Sequence, residues 1–566
     1  MFLRRMFILL TLGCLIGATA LAATPDYATL GVTNGQDLGN TVHRHPNGGA
    51  GKLVNTHRVP MSGTPEEIAA RFVAENAQTL FDAPAAAGKA GDVQVGALTF
   101  KLVRVTSSMS GDHVWMQAYA GDIPVRGGYV VTHLTHDGQV LFVTNELGDV
   151  GFELAASAVS LDRASALAAA ARIIGGDGLT RVEPKADLVV LREGNRGRLA
   201  WRTETATYNP YGDWEIMVDA ANGAEISRRD LIICLKPEEK PASINPPTAP
   251  MTPDPMNLGG NKGAKATGTG LAFIANPLNN HADRYGWRDG NAIIDTARDA
   301  VSLTNLSGSG LLAGPWVEVF NTDAARANEP TLTYNYSALL ANGHFQEVNV
   351  YYHINYWQEY MQSLGILNAR DRVTNCYAHQ GEDDNSDYSP SQDRIRYGDG
   401  GVDDSDDGEI VVHEYGHAIH NDIVPGFVYS GESGAISEGF GDYLGAALGN
   451  NALVGEWDAT AYNAGPPPFL RRTDTTKHYP EDIAGEVHDD GEIISAAWWD
   501  LRNLVGPTVG DRLVIEGMFY TGTSATFQDY ADGIVAADQA LYAGAHVGYI
   551  YQAFGGRGIG PTYLLN

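Results

Sequence analysis

Apolar residues recur at helical spacing over 64–80 (TPEEIAARFVAENAQTL), behind a threonine and with a glutamate three residues on, the pairing that caps a helix start. Residues 114–147 instead alternate apolar and polar, with breaks at Gly121-Asp122, Gly127-Gly128 and Asp137-Gly138, and predict several antiparallel strands. A second capped helix is expected over 160–174. Strands follow over 188–192, 199–203, 214–219 and 224–234, with Asn222-Gly223 as a hairpin turn. The order helix-then-strands occurs twice and predicts two small α+β units, 23–150 and 151–235. Over 237–256 (PEEKPASINPPTAPMTPDPM) the hydrophobic period disappears and proline dominates. Residues 236–262 therefore read as an extended linker, a domain boundary and a place where proteases cut. The rest, 263–566, predicts one larger domain with helices over 347–364, 410–421, 433–448, 491–504, 511–520 and 527–542. The fold class is α+β.

Composition narrows the setting. The chain has 566 residues, 44% of them hydrophobic, which allows two or three domains with sizeable cores. Its formal net charge of -30 repels phosphate backbones and anionic lipid, so nucleic acid and membrane surfaces are poor partners. Arg4 and Arg5, an apolar run over 7–20 and the small-x-small step Ala20-Leu21-Ala22 predict a signal peptide over 1–22, hence a secreted protein, extracellular or periplasmic in transit. Of the three cysteines, Cys14 leaves with the signal. Cys234 and Cys376 either bridge across the linker or stay as buried thiols, and so few thiols mean that cores rather than disulfides stabilise the chain.

The chemistry concentrates at His413-Glu414-Tyr415-Gly416-His417, an H-E-x-x-H pattern preceded by Ile410, Val411 and Val412. Residues four apart share a helix face, so both imidazoles can reach one ion. Zinc with two histidines needs a third protein ligand and one open position. The candidate is Glu438, twenty-one residues after His417. Asp442, one turn further, can accept the outer N–H of a bound histidine and fix its tautomer. The competing reading, a solvated helix face, sits poorly with an environment of Gly, Ala, Ile and Phe. Glu414 beside the ligands can take a proton from an attacking water. An oxyanion wants further donors. Tyr429 and His488 are candidates, and on pattern alone each is more often an ordinary structural residue.

These residues resemble the fungalysin and thermolysin metallopeptidases. HEYGH is followed in register by GFVYSGESGAISEGFGDY (426–443) and EVHDDGEIISAAWWDL (486–501), the latter closest to fungalysin. The resemblance implies a two-lobed thermolysin-like (gluzincin) domain with one catalytic zinc on a central helix, held by His413, His417 and Glu438. It implies Glu414 as general base, and Tyr429 and His488 as transition-state donors. Leu470 and Arg471 resemble the family's pair in which leucine lines an apolar specificity pocket and arginine holds the substrate carbonyl. Asn385 resembles the substrate-backbone ligand. The aspartate that supports the catalytic histidine has no clean counterpart, Asp482 being nearest. Upstream, 111–130 (GDHVWMQAYAGDIPVRGGYV) looks like the fungalysin/thermolysin propeptide and 201–230 like its PepSY-type partner, which implies an intramolecular chaperone and inhibitor. Residues 270–278 (GLAFIANPL) look like the start of the mature enzyme.

The family's paired calcium site has no counterpart over 445–451. The acidic loops 382–387 and 399–409 could hold Ca2+ through oxygen ligands, or stand simply as solvated acid. An EF-hand is excluded, because its twelfth position would be Glu414. Metzincins are excluded because His420 and Ile423 stand where Gly and His are required. The expectation is a secreted zinc endopeptidase, made as a latent precursor and acting on protein or peptide substrates. The alternatives are a binding or scaffold protein with a degenerate zinc site, or an aminopeptidase of the same zinc class.

Overall fold

Caps set the helix starts. In the computed structural model, Thr64 and Glu67 close a reciprocal capping box on α1 (Pro65–Glu75), and Asn76 interrupts the predicted run before α2 (Ala77–Phe81). Asp162 rather than Ser160 caps α3 (Arg163–Ile174). The structure describes residues 35–37, 40–55, 58–86, 91–154, 159–236, 240–244, 265–322, 324–379, 383–462 and 465–561. The expected signal peptide and nearly all of the expected proline-rich linker lie outside them.

The N-terminal strands form a continuous sheet rather than two separate ones. Its 14 strands include Ala50–Asn55, Leu98–Ser107, Asp112–Ala120, Ile123–Leu134, Val140–Asn145, Lys185–Glu193, Arg196–Tyr208, Tyr211–Asp219 and Glu225–Asp230. The first helix-and-strand group meets the second at one parallel pairing, Val190 with Val125. Separate cores lie under each group: α1 and α2 bury Ile68, Phe72, Leu80 and Phe81 with Val93, Phe100 and Val130, whereas α3 packs Ala169 and Ala170 on Ile216 and Val218.

The expected strand over 224–234 is broken. Asp230 Oδ1 accepts the amides of Asp213 at 2.9 Å and Ile232 at 3.1 Å, and this turn ends the pairing of Glu225–Asp230. The chain then leaves the first sheet, and Ile233–Cys234 becomes the edge strand of a second, five-stranded sheet with Asp387–Ser389, Arg394–Arg396, Thr374–His379 and Val317–Asn321. Cys234 and Cys376 are both buried and unbridged, so the possible disulfide is not formed.

The C-terminal part is helical: α4 (His344–Ser363), α5 (Gly408–Ile423), α6 (Gly431–Gly449), α7 (Val487–Val505), α8 (Pro507–Met518), α9 (Phe527–Tyr542) and α10 (Val547–Gly555). Glycines let α5, α6 and α7 approach closely. A Cβ on Gly416 would lie 3.0 Å from Gly441 Cα, and one on Gly439 would lie 2.6 Å from the Gly491 carbonyl oxygen. Among the described residues no helix is long and apolar enough to cross a membrane.

The first sheet docks onto these helices through a mixed interface. Trp115, Val131 and Phe142 share a core with Phe519 and Tyr520. Polar contacts surround it: Arg104 donates to the Asp422 and Ile423 carbonyls at 2.7 and 3.1 Å, and Ser110 Oγ to Glu516 at 2.7 Å. Lys52 is buried with its ammonium 2.7 Å from Asp529 and 2.8 Å from Asp532, which pushes its pKa well up against the opposing effect of burial. Removing one partner of a buried pair strands the other charge. Lys52→Met is therefore expected to destabilise the intact chain by about 3 kcal/mol, read as a lowered Tm in thermal unfolding; an unchanged Tm would show that the pair contributes nothing to docking.

Candidate metal centre

Asp407 opens α5 by accepting the Glu409 amide at 3.0 Å, and the helix is buried on every side from Gly408 to His420. His413 and His417 thus project one turn apart into a dry interior, where Glu438 of α6 meets them. His413 Nε2 lies 3.2 Å from His417 Nε2 and 3.3 Å from Glu438 Oε2, and His417 Nε2 lies 3.6 Å from Glu438 Oε1. Two atoms bound to one zinc at 2.0–2.1 Å and a tetrahedral angle stand about 3.3–3.4 Å apart. The three side chains therefore fit that ion. Both Glu414 oxygens are buried with no hydrogen-bond partner among the described residues, as lone pairs turned toward a water would be.

The outer atoms of both imidazoles are held. His413 Nδ1 lies 3.0 Å from Asp442 Oδ1, and His417 Nδ1 lies 2.9 Å from Ser437 Oγ. A Cβ on Gly441 would come within 2.5 Å of His413 Nδ1, so only glycine leaves room for this ring. Arg471 Nε reaches the two Asp442 oxygens at 3.0 and 2.8 Å. Burial opposes the Asp442 charge, but Arg471 outweighs it and holds the carboxyl at about 2. Burial holds His417 down at about 3, the neutral form in which an imidazole binds metal. It also raises Glu414 well above the usual carboxylate range, with Glu438 adding to the effect.

His488, capped into the first turn of α7, lies with Nε2 3.1 Å from Glu438 Oε2 and Nδ1 2.8 Å from Glu486 Oε1. Burial disfavours its charge, yet Glu438 and Glu486 together lift it to about 10. Its carboxylate partner is thus Glu486. Asp482 instead accepts the His478 amide at 2.7 Å. Glu486 and Ser437 were not among the expected residues; the first carries a signal in the sequence as the N-cap two residues before His488.

The remaining expected residues divide. Tyr429 donates its hydroxyl to Glu438 Oε1. Arg471 also donates to the Leu235 carbonyl at 3.2 Å, so it buttresses Asp442 and reaches a backbone carbonyl at once. Asn385 is fully buried and bonded to the backbone of Lys236. Leu470 packs against Gly455, and its amide donates to the Val454 carbonyl at 2.9 Å. In the acidic loops, the oxygens of Asp384, Asp404 and Asp458 gather, as do His379, Asp399 and Asp403, within 4.8 Å in each group. Lys236 Nζ stands 2.8 Å from Asp384 and 3.2 Å from Asp458.

Residues 397–563 match the family described as Fungalysin metallopeptidase (M36), and residues 99–147 match the Fungalysin/Thermolysin Propeptide Motif. The class defined by site and matches is that of the metallopeptidases. The chain thus holds a stretch that matches the fungalysin metallopeptidase model, with a stretch matching the propeptide motif upstream of it. An extracellular metalloproteinase 2 of Arthroderma gypseum is 25% identical over 452 residues, covering 67% of this chain and 67% of that protein. One from Phaeosphaeria nodorum is 23% identical over 455 residues, covering 67% of this chain and 66% of its own length. The match to the protein of that name from Trichophyton tonsurans, 27% identical over 191 residues, spans 27% of this chain and 30% of the relative. Among solved structures, a precursor of protealysin, a metalloproteinase from Serratia proteamaculans, is 14% identical and covers 43% of this chain and 87% of that one, with a TM-score of 0.34. The matches bear out the metallopeptidase reading, and the relatives' names agree with the expected extracellular setting.

The carboxylate that orients a metal-bound imidazole typically contributes 10- to 100-fold in metal affinity. Asp442→Asn is accordingly expected to weaken zinc binding by about 10- to 100-fold, measured by competition with a chelator of known affinity. Unaltered affinity would show that Asp442 serves Arg471 alone.

Proposed function

We propose that the chain is a secreted zinc endopeptidase made as a latent precursor. The observation that carries this reading is the trio His413, His417 and Glu438, buried at tetrahedral spacing with Glu414 beside it. The proposed organisation is a signal peptide (1–22), a propeptide (23–150), a PepSY-like unit (151–235), a linker (236–262) and a two-lobed thermolysin-like domain (263–566) with the trio on its central helices. Export is supported by the N-terminal signal pattern and by relatives named extracellular. The net charge of -30 speaks against nucleic acid or membrane partners.

His413, His417 and Glu438 would hold the ion, with Asp442 and Ser437 fixing the two rings. Zinc supplies Lewis acidity, which polarises a scissile carbonyl and acidifies water. Glu414 accepts the proton of the attacking water and returns it to the departing amine. His488, oriented by Glu486, and Tyr429 donate to the oxygen on which negative charge develops. In the precursor, Tyr429 is engaged with Glu438 instead, and Arg471, Asn385 and His488 are bonded to 234–236, which supports latency. The acidic loops are candidates for Ca2+ in this reading.

Glu414→Gln tests the assignment. It is expected to retain about one zinc per chain while casein hydrolysis falls by at least about 100-fold, as for loss of a general base. A variant that still hydrolyses casein normally would remove Glu414 from the chemistry. Wild-type cleavage of N-terminally blocked peptides separates an endopeptidase from an aminopeptidase, and a chain with neither zinc nor hydrolysis would be the binding protein.

A further inference from the structure

The strand Ile233–Cys234 runs antiparallel to Asp387–Ser389, with Cys234 opposite Asp387. The next two residues bend but still bond to the residues before Asp387. The Leu235 amide donates to the Ser386 carbonyl at 3.1 Å. The Lys236 amide donates to Asn385 Oδ1 at 2.9 Å, and its carbonyl accepts from Asn385 Nδ2 at 2.6 Å. On the opposite side, the Cys234 carbonyl accepts from His488 Nε2 at 2.9 Å and the Leu235 carbonyl from Arg471 Nη1 at 3.2 Å. All four residues are buried. A segment seated on a sheet edge through its backbone amides and carbonyls is how a cleft recognises a peptide independently of sequence.

The register within that backbone is specific. His488 Nε2, which holds the Cys234 carbonyl, also lies 3.1 Å from Glu438 Oε2. The Cys234 carbonyl is therefore bonded to a side chain that also touches the trio, and the Leu235 carbonyl lies one step further on. Two positions past the Cys234 carbonyl, the Lys236 ammonium enters a pocket lined by Asp384 and Asp458, over the ring of Tyr462 at 4.8 Å. Asp458 is fully buried and Asp384 half-buried, and a buried carboxylate needs a cation, so this pocket selects a basic side chain and rejects an acidic one.

Resting on the proteolytic reading above, we infer that residues 233–236 are a built-in substrate: the bond presented for hydrolysis joins the Cys234 carbonyl carbon to the Leu235 nitrogen, and the enzyme frees its own cleft by cutting there. Water adds its oxygen to the Cys234 carbonyl carbon and the C–N bond breaks. Both hydrogens of the water end on the Leu235 nitrogen, giving a carboxylate at Cys234 and an ammonium at Leu235. The first cut then falls before the proline-rich segment, and a lysine or arginine two residues beyond the cut is favoured in other substrates.

The full chain and its Glu414→Gln variant, sampled from the first minutes of maturation, test this by intact mass. The variant is expected to stay whole. The wild type is expected to give one piece ending at Cys234 and one beginning at Leu235, and a synthetic peptide spanning 231–238 is cut once by matured enzyme at the same bond. Lys236→Glu in that peptide lowers kcat/KM by at least about ten-fold; an unchanged kcat/KM overturns the role of Asp384 and Asp458. Casein hydrolysis by a chain whose early fragments all end beyond Lys236, with the 234–235 bond intact in both chain and peptide, overturns the register and leaves the proteolytic reading standing. A wild-type chain that neither cuts itself nor hydrolyses casein overturns both.

Discussion

Two imidazole nitrogens and the two oxygens of the Glu438 carboxylate, buried with contacts of 3.2–3.6 Å, form an arrangement that apolar packing alone does not produce. Lone pairs aimed at one point repel one another, and burial strengthens that repulsion because no solvent screens it. A divalent cation converts the same geometry into the lowest-energy arrangement available. Much of the surrounding architecture serves this one constraint. Glycines on α5, α6 and α7 bring the backbones close, Asp442 and Ser437 fix the ring orientations, and Arg471 keeps Asp442 charged.

The same groups face the precursor's own backbone. Arg471, Asn385 and His488 bind carbonyls and an amide of residues 234–236 by bonds that any extended chain can make. In the proposed function, latency and substrate recognition are one geometry read in two states. The upstream sheet keeps that strand in place through contacts spread over a wide area, among them Lys52 with Asp529 and Asp532, and Tyr211 with Asp387 at 2.8 Å. Several are buried charges, strong only while both partners remain desolvated. Once the connecting chain is cut, each depends on partners no longer tethered to one another.

Local signals foretold local structure. The capping box at Thr64 and Glu67 and the Asn222-Gly223 turn lie where spacing placed them, because each is decided within a few residues. The H-E-x-x-H helix was legible for the same reason, and Glu438 and Asp442 followed from the ion's need for a third ligand and from one-turn spacing on the next helix, with family likeness along the same stretch agreeing. The split of 224–234 was not legible, since a continuous apolar alternation suits either sheet, and Asp230 ends the first pairing through contacts with Asp213. Glu486 was overlooked because an acidic residue before a helix ordinarily serves as a cap, which it also does here.

The sequence by itself determined the period of each element, the two histidines on one helix face, the metal class they suit and the acidic character of the chain. These depend on residue type and short spacing, which the covalent chain carries directly. Only the tertiary structure decided that a strand of the first half completes a sheet of the second, that Arg471 buttresses Asp442, and which carbonyl meets His488. Those contacts join residues up to 254 positions apart, and their register is set by how two packed bodies fit together, which no local pattern encodes.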